Sequence, residues 1–180
     1  LYIFHKDNNT PLSSYSHGAY SSNPNNKRLD LSGDGRYAVS GTTDGRLNFV
    51  PIDGIVLDWS YNTGTNNYPR VRTVSISADG NYILEGDDQN RVRLFHKDNP
   101  VPIWDYSTGS TDPECVDISA DGSYSVMANN NGGGTLFLFG NQNSNPIWTY
   151  EACSQCNIKS VDISADGEYI VLGTGSKLYL

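Results

Sequence analysis

The stretch Ser164-Ala165-Asp166-Gly167 places a hydroxyl and a carboxylate beside a glycine, an arrangement that some active-site loops use. The sequence contains the same pattern four times. The copies are LDLSGDGRYAVSG (29–41), VSISADGNYILEG (74–86), VDISADGSYSVMA (116–128) and VDISADGEYIVLG (161–173). This repetition favours a structural unit over a unique reactive site.

The spacing of the four copies defines a repeat. The motif glycines, Gly35, Gly80, Gly122 and Gly167, lie 45, 42 and 45 residues apart. A period of about 44 residues is typical of a β-propeller blade or of a two-helix repeat. Asp-Gly readily adopts the positive φ angles of tight hairpin turns. We therefore predict structural turns at Asp34, Gly35, Asp79, Gly80, Asp121, Gly122, Asp166 and Gly167.

Composition separates the two repeat types. Hydrophobic residues make up 37% of the 180 residues, charged residues only 18%, and no apolar stripe with helical spacing appears. Each period instead divides into four short runs of alternating Val, Ile, Tyr and Phe, bounded by turn residues. In the second copy these runs are 71–77, 81–86, 91–97 and 102–107, which we name strands a to d. The pattern predicts an all-β protein.

One stretch carries a family resemblance. VSISADGNYILEGDDQNRVRLFHKD resembles a WD-repeat blade in its Ser-x-Asp-Gly turn, the glycine that ends strand b and its Val-Arg-Leu-aromatic strand c. The family's tryptophan is replaced by Phe95 here, and Trp59, Trp104 and Trp148 lie in strand d, as in quinoprotein-like repeats. The resemblance implies a β-propeller of four-stranded antiparallel blades, with about four blade equivalents.

The repeat phase gives the expected organisation. FHKDN occurs at 4–8 and at 95–99, so the chain begins, as it ends, within strand c. We expect one β-propeller segment over 1–180: strands c and d of a partial blade at 1–25, blades at 26–66, 67–110 and 111–152, and a partial blade at 153–180. This gives seventeen strands, whereas a closed four-bladed ring needs sixteen.

The extra strand allows two interpretations. The expected one is a segment of a larger propeller or array, and the alternative is a closed four-bladed ring in which residues 11–16 supply the last outer strand. Blades at an open end expose flat apolar faces, so a homo-oligomer through exposed blade faces is also expected.

Charge and hydropathy limit the partners. The net charge is −8 and the pI about 4.6, which disfavours nucleic acid. No stretch approaches 18 consecutive apolar residues, so we predict no membrane span. A composition rich in Asn, Ser, Thr, Gly and Tyr resembles that of secreted or surface propellers of microbes. We expect an extracellular or cell-surface location, with a cytoplasmic one as the alternative.

The three cysteines, Cys115, Cys153 and Cys156, lie in or beside the connections from strand d to strand a. A structural disulfide between Cys153 and Cys156, or from Cys115 to one of them, is the favoured interpretation. Free thiols, a zinc site and a redox pair are the alternatives.

Two aligned positions in strand a carry charge. Asp30, Ser75, Asp117 and Asp162 share one position. We expect carboxylates there that accept hydrogen bonds from the backbone or a hydroxyl of the next repeat, with a cation-holding ring as the alternative. Lys27, Arg72, Glu114 and Lys159 share the other position, at the start of the strand. They are either solvated surface or an anion-attracting rim.

Function is expected on loops that do not repeat. Tyr68 has no equivalent in the other repeats, and the connections 17–28, 108–114 and 151–157 should share one face with it. Tyr68, Lys27, Arg72 and Lys159 are the candidate residues of a ligand face. No catalytic or cofactor-binding motif appears, so we predict no enzyme activity, no cofactor and no metal. The predicted function is a protein or glycan interaction scaffold, with a structural subunit of a surface layer or extracellular filament as the alternative.

Overall fold

The fold is known from a computed structural model that describes residues 1–14, 29–53, 57–64, 70–130, 133–154, 157–175 and 178–179. Within these ranges the chain forms strands and turns and contains no helix. The predicted all-β class is therefore confirmed. In the same ranges, nothing resembles a helix long and apolar enough to cross a membrane.

The strands form five antiparallel sheets in chain order. The first sheet contains β1 (Tyr2–Phe4) and β2 (Pro11–Ser14). The second contains β3 (Leu29–Leu31), β4 (Tyr37–Gly41), β5 (Arg46–Pro51) and β6 (Trp59–Asn62). The third contains β7 (Val71–Ile76), β8 (Tyr82–Asp87), β9 (Arg91–His96) and β10 (Asn99–Ser107). The fourth contains β11 (Pro113–Ile118), β12 (Tyr124–Asn129), β13 (Gly134–Gly140) and β14 (Pro146–Cys153), and the fifth β15 (Ile158–Ile163), β16 (Ile170–Thr174) and β17 (Leu178–Tyr179).

Each four-stranded sheet is a meander whose strands pair with their neighbours in sequence. The described sheets have two, four, four, four and three strands, which agrees with the repeat phase derived from the FHKDN copies. Strands a, b, c and d of the third sheet are thus β7, β8, β9 and β10. The predicted four-stranded antiparallel sheets are confirmed.

The Ser-x-Asp-Gly stretch forms the hairpin turn between strands a and b. In the last copy the Ser164 hydroxyl donates to Asp166 Oδ1 at 2.5 Å, and the amide of Tyr169 donates to Ser164 Oγ at 3.0 Å. Gly167 closes the turn with φ +74°, a backbone conformation that glycine adopts without steric cost. The hydrogen bond from Ser164 lowers the pKa of Asp166. Both side chains are engaged in forming the turn.

In the second, third and fourth sheets, the tyrosine at the start of strand b lies against the turn glycine of the next sheet, and we call this the tyrosine-on-glycine contact. A Cβ atom added to the glycine would lie 2.1 to 2.6 Å from the ring, so only glycine leaves room for it. The pairs are Tyr37 with Gly80, Tyr82 with Gly122 and Tyr124 with Gly167. All three contacts run in the same direction along the chain.

The second to fifth sheets pack face to face in sequence order. Their first strands lie side by side, because β7 contacts both β3 and β11, and β11 contacts β15. Three apolar clusters fill the spaces between the second and third, third and fourth, and fourth and fifth sheets. Burial of both faces of the inner sheets therefore holds the array together.

Candidate functional site

A polar pocket of about 280 Å³ lies at the end of the sheets where the first strands begin. Its lining residues are Arg72, Asp112, Glu114, Asn130 and Asn157. Arg72 and Glu114 are the second residues of β7 and β11, Asn130 directly follows β12, and Asn157 directly precedes β15. Three consecutive sheets thus contribute side chains to one cavity.

Ion pairs position the charged side chains of this pocket. The guanidinium of Arg72 donates to Asp112 Oδ2 at 3.1 Å and to Glu114 Oε2 at 2.8 Å. Burial raises the pKa of Asp112, and Arg72 opposes this effect. The side-chain Nδ2 of Asn129 donates to Thr111 Oγ1 at 2.7 Å and so anchors the loop that carries Asp112.

Two polar atoms at the pocket are buried and have no hydrogen-bond partner among the described residues, namely Arg72 Nε and Asn130 Oδ1. Buried polar atoms without partners are rare in native structures. The pocket wall is mostly polar, and all of its lining side chains carry hydrogen-bond donors or acceptors. Its volume lies just below the usual range for small-molecule sites, so it suits one polar group of a larger partner.

The structure brings together only some of the predicted ligand-face residues. Arg72 lines the pocket, with Asp112 and Glu114 from the connection 108–114 and Asn157 from the connection 151–157. Lys159 is exposed at the start of β15 and does not line the pocket. Lys27 and Tyr68 lie outside the described residues. Asn130 follows a strand b rather than a strand d, so the prediction from the d-to-a connections missed it.

The aligned carboxylates of the first strands link neighbouring sheets. Asp30 Oδ2 accepts a hydrogen bond from the amide of Ile76 at 3.0 Å, and Asp117 Oδ2 accepts one from the amide of Ile163 at 2.9 Å. The Ser75 hydroxyl lies 3.2 Å from Asp30 Oδ2 and 3.0 Å from Asp117 Oδ1. These are the backbone and hydroxyl partners that the alignment predicts.

Asp117 also faces the carboxyl group of Asp162 in β15. The pKa of Asp117 is raised to about 6, chiefly by burial and also by the hydrogen bond with Asp162, whereas the hydrogen bonds from Ile163 and Ser75 lower it. Two carboxyl groups in contact hold one proton more tightly than either would alone. In the described part of the chain, no group of three or more His, Cys, Asp or Glu side chains is arranged to hold a metal ion.

A buried ion cluster lies between the second and third sheets. Arg93 Nη1 donates to Glu85 Oε2 at 3.0 Å and to Asp87 Oδ2 at 2.7 Å, and both carboxylates are fully buried. The Arg93 guanidinium also lies 5.6 Å from the ring centroid of Tyr61. Burial raises the pKa of Glu85 to about 8. Arg93 Nε also lies 3.3 Å from Oδ2 of the partly exposed Asp105, so the cluster extends from the packed interface toward the surface.

Sequence reasoning missed this cluster, although a signal was present. Glu85 and Arg93 carry opposite charges at positions that pair across strands b and c. The equivalent pair in the fourth sheet is Met127 and Phe137. A comparison of paired positions between repeats would have identified the charged pair.

An apolar groove of about 540 Å³ lies between the fourth and fifth sheets. Trp148, Tyr150, Leu136, Ile170 and Leu172 form most of its wall. In the two preceding interfaces the equivalent tryptophans, Trp59 and Trp104, are only 9% and 6% exposed, whereas Trp148 is 40% exposed. Trp59 and Trp104 are thus buried in the interfaces between sheets, whereas Trp148 is open to solvent.

The neighbouring interfaces show what fills the equivalent space. Phe95 packs against Trp59 and Tyr61, with ring centroids 5.9 and 4.9 Å apart. Phe139 packs in the same way against Trp104 and Tyr106, at 5.2 and 5.1 Å. An aromatic side chain from the third strand of the next sheet is therefore the usual occupant.

The cysteines divide into two states. Cys153 is disulfide-bonded, whereas Cys115 is a free thiol, so a disulfide through Cys115 is not made. Cys115 lies on β11 and packs against the apolar cluster between the fourth and fifth sheets. Burial raises the pKa of its thiol to about 12. Cys156 lies outside the described residues.

The geometry of the chain is therefore that of stacked antiparallel sheets with a polar pocket at one end and an open apolar groove at one side. No protein-family model and no curated protein matches this chain.

Proposed function

We propose that the protein is a non-enzymatic β-propeller that acts as an interaction scaffold for a protein or a glycan. The polar pocket at Arg72 is the observation that carries this proposal. It is built from side chains that differ between the repeats. Binding residues concentrate on such variable segments when a rigid array of sheets holds them. Its mixture of carboxylate, guanidinium and amide groups suits a hydroxyl or amide group of the partner.

The stacked sheets support the propeller part of the proposal. The second, third and fourth sheets are four-stranded meanders, and the first strands of the second to fifth sheets lie side by side. A tyrosine-on-glycine contact joins the second sheet to the third, the third to the fourth and the fourth to the fifth. In a propeller, strands a line the centre and strands d lie outside. The pocket then lies on the face that carries the connections from strand d to strand a.

The ionisable groups favour binding over catalysis. The raised pKa values of Glu85 and Asp117 arise from burial within packed interfaces, next to Arg93 in one case and to Asp162 in the other. Catalytic groups with shifted pKa values usually face a cleft. An extracellular or cell-surface location is supported by the disulfide at Cys153, because disulfides persist in oxidising compartments.

Binding to a glycan array and to an array of extracellular proteins tests this function. Asn157→Ala removes an exposed amide from the pocket wall and should weaken binding about tenfold, the effect of a typical contact residue. Asn145→Ala is the matched control, since this exposed asparagine lies in the turn before β14. Equal affinity of the two variants would exclude the pocket, and an absence of binding on both arrays would exclude the ligand function.

A second candidate function is self-assembly into a surface layer or filament. It is favoured by the aromatic side chains exposed on the first, fourth and fifth sheets, among them Phe4, Trp148, Tyr150 and Tyr169. Such side chains on two separate faces are typical of interaction surfaces.

A further inference from the structure

One tyrosine and one glycine are left over from the tyrosine-on-glycine contacts. Tyr169 occupies the position of Tyr37, Tyr82 and Tyr124, yet it is 71% exposed. Gly35 occupies the position of Gly80, and a Cβ atom on it would meet nothing within 4 Å. The chain therefore carries an unused tyrosine on its fifth sheet and an unused glycine turn on its second.

The aromatic contacts at the apolar groove leave a second unused pair. Phe4 begins the same FHKDN sequence as Phe95 and is 55% exposed, whereas Phe95 is fully buried. Trp148 and Tyr150 occupy the positions of Trp59 and Tyr61, which contact Phe95, and both are exposed. Again one partner lies near the beginning of the array and the other near its end.

Strand β3 also carries apolar side chains that lack the contacts made by their equivalents in other sheets. Leu29 and Leu31 are 50% and 55% exposed, although the residues at equivalent positions in β7 and β11 are buried. These are Val74, Ile76, Val116 and Ile118. The second sheet therefore lacks the apolar neighbour that covers the third and fourth sheets.

We propose that the last sheets of one copy bind the first sheets of a second copy, head to tail. Tyr169 lies on Gly35 of the other copy, and Phe4 of that copy fills the groove at Trp148 and Tyr150. The inference rests on the second proposed function, assembly, and is independent of the polar pocket. Its support is that every contact it invokes already occurs two or three times within the chain.

Both contacts form together if β1 and β2 of the second copy replace β17, so that the fifth sheet becomes four-stranded. In that arrangement β1 pairs with β16 at the place that β17 occupies. Replacement of β17 by β1 keeps similar residues in the sheet, because Leu1-Tyr2-Ile3 aligns with Leu178-Tyr179-Leu180. Strand β1 also contributes Phe4. Addition of a strand to a sheet edge is a common mode of association.

A second copy is favoured over closure within one chain because the paired surfaces are apart in the structure. Tyr169 and Phe4 are both exposed, Gly35 has open space beside it, and neither β1 nor β2 lines the groove. The contact joins two different surfaces, so it is heterologous and produces a ring or a filament.

Analytical ultracentrifugation of two complementary variants tests the proposal. The tail variant carries Trp148→Ser and Tyr169→Ser, and the head variant carries Phe4→Ser and Leu31→Ser. All four side chains are exposed, so circular dichroism should show unchanged folding. A control, Val101→Ser, removes an exposed apolar side chain from β10 outside the proposed contact.

The wild-type chain and the control should associate reversibly as concentration rises. Each complementary variant alone should associate at least about 30-fold more weakly, the effect expected for loss of a central aromatic side chain. An equimolar mixture of the two variants should form a 1:1 complex, because each retains the surface that the other lacks.

Three results would overturn the proposal: a wild-type chain that stays monomeric at every concentration, variants that associate as the wild type does, or a mixture that forms no complex. If the wild-type chain is monomeric and its Tyr169 is protected from nitration, the first and last sheets contact each other within one chain. Glycan or protein binding through the pocket is measured separately, so failure of assembly leaves that function distinguishable.

Discussion

Glu85 and Arg93 face each other across β8 and β9 with Oε2 and Nη1 3.0 Å apart, and neither side chain is open to solvent. The neighbouring interface packs well with Met127 and Phe137 at the same two positions. Asn129 occupies the position of Asp87 there and accepts a hydrogen bond from the amide of Thr135. The chain thus contains a charged and an uncharged version of one interface.

This duplication predicts the effect of replacing the ion cluster. The triple substitution Glu85→Met, Asp87→Asn and Arg93→Phe should leave the free energy of unfolding unchanged within about 1 kcal/mol or raise it, because buried ion pairs often stabilise no more than apolar groups. The single substitution Arg93→Met should lower it by about 3–5 kcal/mol, since it leaves buried carboxylates without a cation. Urea unfolding measures both. A triple variant as unstable as the single one would contradict this view.

The contact between Asp117 and Asp162 predicts that the free energy of unfolding depends on pH. The pKa of Asp117 is raised from 3.8 to about 6 by burial and by Asp162, so the folded state holds a proton that the unfolded state releases. Its stabilising contribution is complete below about pH 4 and is lost as pH rises through about 6. Asp162→Asn should reduce this loss without abolishing it, because burial still raises the pKa of Asp117, and it should raise the free energy of unfolding at pH 7 by less than about 3 kcal/mol.

The comparison requires unfolding curves at several pH values between 4 and 9. Asp58→Asn, an exposed carboxylate outside the interface, is the control and should keep the wild-type slope. Glu85, whose pKa is raised from 4.5 to about 8, should add a decline in the free energy of unfolding from about pH 4.5 to about pH 8 in all three proteins. If the free energy of unfolding of Asp162→Asn fell between pH 4 and 6 as steeply as that of the wild type, the two carboxyl groups would not interact.

Two turn glycines allow two destabilising effects of a glycine-to-alanine substitution to be measured separately. One is the strain of a positive φ angle, and the other is the clash of the added Cβ atom with a neighbouring ring. Gly35 and Gly122 both have φ +71°, but a Cβ atom on Gly122 would lie 2.1 Å from the ring of Tyr82. Gly35→Ala should cost about 1–2 kcal/mol for the left-handed conformation alone. Gly122→Ala should cost about 1–3 kcal/mol more for overpacking. Urea unfolding at low protein concentration measures the difference, and equal costs would mean that the tyrosine ring moves aside freely.

Cys115 should be unreactive in the native protein. Burial raises its thiol pKa to about 12, and only the thiolate is a good nucleophile. A thiol reagent at pH 8 should modify Cys115 slowly in buffer and rapidly in denaturant. Mass spectrometry of the modified peptide identifies the site, and fast native modification would show that the interface around β11 opens readily.

Local sequence predicts the strands and turns well here, because hairpin formation at Ser164-Ala165-Asp166-Gly167 depends on neighbouring residues only. The phase of the repeat also follows from the duplicated FHKDN. The polar pocket does not, since Asn130 and Asn157 come from different sheets and meet Arg72 only after packing. The exposure of Trp148 depends likewise on what covers it, and its sequence context, IWTY, closely resembles the IWDY of the buried Trp104.

The direction of the tyrosine-on-glycine contact has a consequence for synthesis on the ribosome. Tyr37 is made before Gly80, so each completed sheet leaves the exit tunnel with its ring uncovered and receives the next turn about 40 residues later. The nascent chain can therefore fold by successive addition, one sheet upon the last, without waiting for a distant segment.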